Sequence, residues 1–232
     1  MPSPFIIAVD GPSGSGKSSV SRAIATEFGL AYLDTGAMYR AMTWWMLQHG
    51  IDVADPHAVA AHVDEPILVS GMDPQAPTIT VDGVDVSGPI READVTGAVS
   101  LVSAVPQVRQ RLVATQQQAA EDATVGIVIE GRDIGTVVLP NADLKIYLTA
   151  DQDVRAARRA AEDAARAGGT DVDAAVVAAT ESALAARDAI DSNREASPLA
   201  MADDAVHVDA TTLSLAEVID VVRQLAVRTQ QA

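Results

Sequence analysis

The stretch Phe5-Ile-Ile-Ala-Val-Asp10-Gly11-Pro12-Ser13-Gly14-Ser15-Gly16-Lys17-Ser18-Ser19 decides the fold. Its first six residues form an apolar run ending in an acid, which reads as a buried strand. From Gly11 to Ser18 it matches the phosphate-binding loop, with two glycines, a lysine and a hydroxyl residue at fixed spacing. The glycines let backbone N–H groups turn inward around a triphosphate, and the following helix offers the positive end of its dipole. Lys17 is expected to reach the β- and γ-phosphates of ATP and Ser18 to hold Mg²⁺. Gly11, Pro12, Ser13, Gly14, Ser15, Gly16, Lys17, Ser18 and Ser19 together form the expected ATP site.

Outward from this loop, apolar runs bounded by turn signals alternate with segments of helical period, an order that favours a parallel sheet covered by helices. Strands are expected at Phe5–Asp10, Ala31–Asp34, Gly126–Glu130, Leu144–Thr149 and Ala205–Asp209. Helices are expected from about Lys17 to Phe28, stopping at Gly29, and from about Ala37 to near Gly50. Ser214-Leu-Ala-Glu217 has the spacing of a capping box and opens a last helix. Between Asp64 and Gly88, prolines 66, 74 and 77 punctuate short β-rich runs, and Val81-Asp-Gly-Val84 reads as a hairpin turn. The alanine-rich stretch from Asp151 to about Asp188 reads as two helices joined at Gly168-Gly169-Thr170.

The whole chain has 232 residues, 48% of them apolar, enough for one domain with insertions. Its formal charge of -16, from 32 acidic and 16 basic residues, argues against a polymeric nucleic acid partner, which needs a broad cationic face. Cysteine is absent, so disulfides and thiolate chemistry are excluded. The four histidines lack metal-ligand spacing, and no segment approaches the roughly 18 to 20 apolar residues that span a bilayer. A cytoplasmic monomer without a membrane partner is expected. Lysine occurs only at positions 17 and 145, against fourteen arginines, which makes the placement of Lys17 informative.

A phosphate loop leaves open a GTP switch, a motor or a small-molecule kinase. No Asn/Thr-Lys-x-Asp guanine-reading sequence follows. The strand Ile127-Val-Ile-Glu130 runs straight into Gly131-Arg132-Asp133, and an arginine there suits a second phosphate group better than water activation. Arg155, Arg158 and Arg159 lie on the alanine-rich helix. The i,i+4 spacing of Arg158/Glu162 and Arg159/Asp163 reads as surface pairing. Trp44-Trp45 reads as packing.

Six separated stretches make the chain resemble the bacterial cytidylate kinases along nearly its whole length. They are Asp10–Ser18, Asp34-Thr-Gly-Ala-Met-Tyr-Arg40, Val86-Ser-Gly-Pro-Ile-Arg91, Glu130-Gly-Arg-Asp-Ile-Gly-Thr136, Asp191-Ser-Asn-Arg-Glu-Ala-Ser-Pro198 and Asp209-Ala-Thr-Thr-Leu213. The resemblance implies an α/β P-loop NTPase fold with a five-stranded parallel sheet flanked by helices, a small α/β nucleotide-binding insertion and a helical lid. It implies one kinase domain over 1–232, with a core at about 1–61, 100–150 and 190–232. The CMP-binding insertion would cover about 62–99 and the lid about 151–189. The implied reaction is ATP-dependent phosphorylation of CMP and dCMP, with Mg²⁺.

Under the resemblance, Arg40, Arg132 and Arg194 clamp the acceptor phosphate, and Ser100, Arg109 and Asp133 read the cytosine edge. Arg187 and Asp191 stand near the pentose, and Thr35 beside the acceptor. Lys17, Arg132, Arg158 and Arg159 carry catalysis, the last two from the lid. Glu130 and Thr35 depart from the commonest aspartate and serine but keep the functional group. Two other readings stay open: a kinase of broader acceptor range that includes UMP, and a P-loop regulatory module that binds nucleotide without a phosphoryl acceptor.

Overall fold

The computed structural model describes residues 4–166, 168–169, 172–194 and 197–231. Thr170 of the glycine-rich tip and Glu195-Ala196 of the fifth stretch lie outside the described residues.

Five strands form one parallel sheet: β1 (Phe5–Asp10), β2 (Ala31–Asp34), β6 (Gly126–Gly131), β7 (Leu144–Thr149) and β8 (Val206–Asp209), ordered β2-β6-β1-β7-β8. The sequence expectation holds to within a residue at each end. The last strand starts one residue late because the Ala205 N–H closes a turn on the Ala202 carbonyl.

A central strand of such a sheet is covered on both faces, and the side-chain period of two divides its residues between two cores. Ile7, Val9 and Val128 pack with Val20 and Ile24 of α1 (Lys17–Phe28) and Val218 and Val222 of α8 (Leu215–Gln230). Ala8, Ile127 and Ile129 face the other way. They meet Met38, Met42 and Met46 of α2 (Thr35–Gln48), Val99 and Val102 of α4 (Ala93–Ala104) and Leu112 of α5 (Pro106–Asp122). Helix α1 stops at Gly29 in the left-handed region, at φ 65°, and the capping box of α8 is formed by Ser214 and Glu217. Helix α2 begins at Thr35 rather than Ala37, because Asp34 caps it by accepting from the Ala37 N–H at 2.9 Å.

Short helix α3 (Pro56–Ala61) leads to a three-stranded antiparallel sheet of β3 (Leu68–Ser70), β4 (Ile79–Val81) and β5 (Val84–Asp85). Its hairpin turns at Asp82 and Gly83, with φ 52° and 81°, the double positive φ that matches strand twist in a two-residue loop. Asp82 also accepts from Trp45 Nε1 at 2.9 Å, fastening the small sheet to α2. Ile79, Val81, Val86 and Ile90 share one core with α2, so the insertion has no separate hydrophobic centre. Helices α6 (Gln152–Arg166) and α7 (Ala174–Ser192) form a hairpin beyond β7.

Candidate active site

Between β1 and α1 the chain leaves the sheet through a gap that admits no side chain. Gly11 has φ +146°, and a Cβ there would stand 2.0 Å from the Leu148 carbonyl oxygen. The loop then bends back over the N-terminus of α1, where Gly16 takes φ +94°. Lys17 Nζ donates to the Pro12 carbonyl at 2.7 Å and to Ser15 Oγ at 3.5 Å. Burial, then the neighbouring Arg132, lowers the Lys17 pKa to about 8, against the opposing pull of Glu130, Asp10 and Asp188.

At the C-terminal end of β6, register places Glu130 beside Val9 of β1 and Asp34 of β2. The Tyr32 hydroxyl donates to Glu130 Oε1, and the Ser18 hydroxyl lies beside both. Burial, then the charge of Asp34, raises the Glu130 pKa to about 7 against the pull of Lys17. Burial, then the charge of Glu130, raises the pKa of Tyr32. Thr35 Oγ1 donates to the Glu130 carbonyl at 2.7 Å. Burial works against ionisation of Asp34, but the Arg40 guanidinium, 3.0 Å away, and the Ala37 N–H outweigh it and lower its pKa.

Asp10 ties the two ends of this arrangement. Its Oδ1 accepts from the Ile134 N–H at 2.8 Å and its Oδ2 from that of Gly135 at 2.7 Å. The loop carrying Arg132 and Asp133 therefore ends on the residue from which the phosphate loop starts.

Opposite the phosphate loop, cations gather in a way that the overall charge of -16 makes conspicuous. Nine of the fourteen arginines line one cavity of about 550 Å³ that also takes in Ser13, Gly14, Gly16, Lys17, Ser18 and Ser19. Arg132 pairs with Asp188 at 3.1 Å and Asp191 at 2.9 Å, and Arg194 lies 3.8 Å from the other oxygen of Asp191. Burial, followed by Arg132 and Arg40, lowers the Arg187 pKa to about 9. Arg109 is bridged to Asp133, donates to the Ser103 carbonyl at 3.3 Å and stands 5.4 Å from the Tyr39 ring centroid. Arg40 Nε, Arg109 Nε, Arg187 Nε and Arg194 Nη2 are buried N–H groups without a partner among the described residues. Buried guanidinium donors left open in this way suit an anionic, hydrogen-bond-accepting ligand.

Of the residues expected from sequence, Thr35, Arg40, Arg109, Arg132, Asp133, Arg159, Arg187, Asp191 and Arg194 line this same cavity. Gly11, Pro12 and Ser15 stand behind it as the frame of the loop. Ser100 is buried on α4 and does not line the cavity; Ser103, one turn on, does. Arg158 is not in the lining either and makes no pair with Glu162. Its Nη2 donates to the carbonyls of Ala210 at 2.8 Å and Leu213 at 3.2 Å, because the helix turns this side chain onto the loop after β8. Arg159 does pair with Asp163, at 2.9 Å, and lines the cavity. Arg155, which the sequence places only on the alanine-rich helix, is buried and reaches the Ser13 carbonyl at 3.1 Å. Asp10, Tyr32, Tyr39 and Asp188 escape sequence reading, although Asp10 abuts the glycine-rich loop and Asp188 directly follows Arg187.

The oxygens of Ser18 and Glu130 form a hard donor set that suits Mg²⁺, which binds through one or two protein groups and otherwise through phosphate oxygens and water. The described residues contain no group of three or more acidic, histidine or cysteine side chains that could hold a metal by themselves. No helix among them is long and apolar enough to cross a membrane.

The family model described as cytidylate kinase matches residues 7–228. The chain is 58% identical to a cytidylate kinase of Streptomyces griseus subsp. griseus over 95% of its own length and 91% of that protein's. It is 60% identical to one from Streptomyces coelicolor, covering 94% and 90%, and 46% identical to one from Streptococcus pneumoniae, covering 94% and 95%.

Proposed function

The chain belongs to the cytidylate kinase family, and from that premise we propose that it transfers the γ-phosphate of ATP to the phosphate of CMP or dCMP, giving ADP and CDP or dCDP. One observation carries the reading: Arg40, Arg132 and Arg194 converge on the cavity that the phosphate loop opens into. A nucleotide switch needs one anion site; a kinase with a phosphorylated acceptor needs two that face each other.

In this reading the γ-phosphate sits over the Gly14–Ser18 N–H groups with Lys17 alongside, and the acceptor phosphate is held by the three arginines. Arginine's planar fork binds phosphate oxygens in pairs and keeps its charge while buried. The Arg109–Asp133 pair presents a donor and an acceptor to the carbonyl and exocyclic amine of cytosine, and Arg187 and Asp191 meet the pentose. Because the attacking phosphate oxygen is already ionised, no general base is required. The protein's contribution is to hold two anions in line and to spread the charge that develops between them. Ser18 and Glu130 are the residues that would hold Mg²⁺. Bound there, the ion would neutralise charge on the β- and γ-phosphates. The α6–α7 hairpin acts as a lid, with Arg159 as the arginine that it brings toward the transferring group. Residues 62–99 serve as the acceptor-binding insertion, and the protein works as a cytoplasmic monomer.

A coupled ADP-release assay with ATP and Mg²⁺ tests this with CMP, dCMP, UMP, AMP, GMP and no acceptor. Fast release with CMP and dCMP alone is the expected result. Equal use of UMP would widen the acceptor class to pyrimidine nucleotides, and release that no acceptor changes would remove the kinase reading.

A further inference from the structure

Asp188 stands on α7, directly after Arg187, and does not line the cavity. Its two carboxylate oxygens serve different arginines. Oδ1 accepts from Arg132 Nη1 at 3.1 Å, and Oδ2 accepts from Arg155 Nη1 at 2.5 Å. That same nitrogen of Arg155 reaches the Ser13 carbonyl at 3.1 Å, while Arg155 Nε holds the Ala150 carbonyl at 3.0 Å. One carboxylate thus joins α7, the first turn of α6, the loop after β6 and, through Arg155, the phosphate loop. Its charge also reaches Lys17.

From this geometry we infer that Asp188 is a positioning residue: it fixes Arg132 for phosphoryl transfer while weakening that arginine's hold on the acceptor phosphate in the ground state. The inference rests on the reading of Arg132 as an acceptor clamp. Two physical effects act on one guanidinium. A carboxylate bonded to Nη1 competes with a phosphate oxygen for the same N–H and offsets part of the positive charge, so the acceptor binds less tightly than to an arginine without that partner. A guanidinium held by Asp188 on one nitrogen and Asp191 on the other is already oriented, so little reorganisation remains when charge develops during transfer. Loosened binding and faster transfer are compatible because only interactions stronger in the transition state raise turnover. Arg155 supplies the second anchor. Without it the carboxylate would be free to follow Arg132, and α7 would carry no record of where the phosphate loop lies.

The test is the isosteric variant Asp188→Asn, which keeps the side-chain volume and one carbonyl acceptor but removes the charge. Two quantities are read: the Kd of CMP by titration calorimetry without ATP, and kcat at saturating ATP and CMP. The expected result is a Kd about three- to tenfold tighter with kcat lower by at least about tenfold, opposite effects that a merely structural role would not give. A Kd that is unchanged or weaker, or a kcat within about twofold of the parent, overturns the inference. Asp188→Glu keeps the charge and displaces it by one methylene. Its CMP affinity should stay within about twofold while kcat falls, and tightened binding in this variant also overturns the charge argument. Failure of the parent protein to bind or phosphorylate CMP would instead remove the functional reading, before any variant is compared.

Discussion

Arg109 on α5 is bonded through Nη2 to Asp133 Oδ2 at the end of β6, 24 residues further on, and neither side chain is more than 6% exposed. Arg109 also donates to the carbonyl of Ser103 and stands against the ring of Tyr39, and Asp133 also acts on the charge of Arg194. Asp133→Ala would strip the buried Arg109 of its bonded carboxylate and take away the acceptor proposed for cytosine. The KM for CMP should rise at least about tenfold while ATP affinity stays within about twofold. Unfolding in urea should show a loss of about 3 to 5 kcal/mol. Equal losses for both nucleotides would count against a base-reading role.

Adjacent arginines on α6 should separate cleanly. Arg159 lines the cavity, so Arg159→Ala should lower kcat by about tenfold or more and leave nucleotide affinity nearly unchanged. Arg158 instead bonds the carbonyls of Ala210 and Leu213. Arg158→Ala should therefore cost about 1 kcal/mol of stability and change kcat little. Single-turnover kinetics beside urea denaturation decide both, and a large kcat loss at Arg158 would return it to the catalytic set.

Two glycines of the phosphate loop should fail for different reasons. At Gly11 a methyl group would meet the Leu148 carbonyl at 2.0 Å, so Gly11→Ala requires β1 and β7 to part and should destabilise by roughly 4 kcal/mol or more. At Gly16 nothing lies within 4 Å of the added carbon. The left-handed backbone alone then costs about 1 to 2 kcal/mol in Gly16→Ala. Similar urea midpoints for the two would show that the strand gap is softer than its geometry.

Asp10 makes folding stability depend on pH. Burial, reinforced by Asp133 and opposed by the N–H groups of Gly135 and Ile134 and by Lys17, raises its pKa from 3.8 to about 6. A carboxyl whose folded pKa is raised stays protonated in the native state while the unfolded chain loses its proton. Its contribution to stability is therefore greatest below pH 3.8 and declines as pH rises toward 6, by about 3 kcal/mol in all. Asp10→Asn cannot titrate, so its stability should fall less steeply than the parent's between pH 4 and 6. Parallel slopes would show that Asp10 titrates normally.

Chelation with EDTA should stop turnover and leave the melting temperature of the nucleotide-free protein unchanged, since the described residues hold no metal-binding cluster of their own. A lowered melting temperature would reveal a structural ion.

Local chemistry determined much of this protein. The Gly11–Ser18 loop declared itself because the glycines, Lys17 and Ser18 lie within eight consecutive residues, so the pattern is complete in one window of sequence. The five strands were legible because β1, β6 and β7 are short apolar runs with turn signals at their ends, and Gly29 and Ser214-x-x-Glu217 mark helix ends through purely local bonds. The convergence of Arg40, Arg132 and Arg194 was legible only through resemblance, since they come from three elements far apart in the chain. Tertiary structure alone decided which arginine does what. Arg155, Arg158 and Arg159 stand at i, i+3 and i+4 of one helix, neighbours by spacing. The direction that packing gives each around the helix sends one to the phosphate loop, one to the loop after β8 and one into the cavity. The same holds for Asp10, Asp188 and the hydroxyl of Tyr32, which act on partners 33 to 125 residues away. A bond across such a separation exists only once the sheet has aligned its strand ends, so no window of sequence contains it.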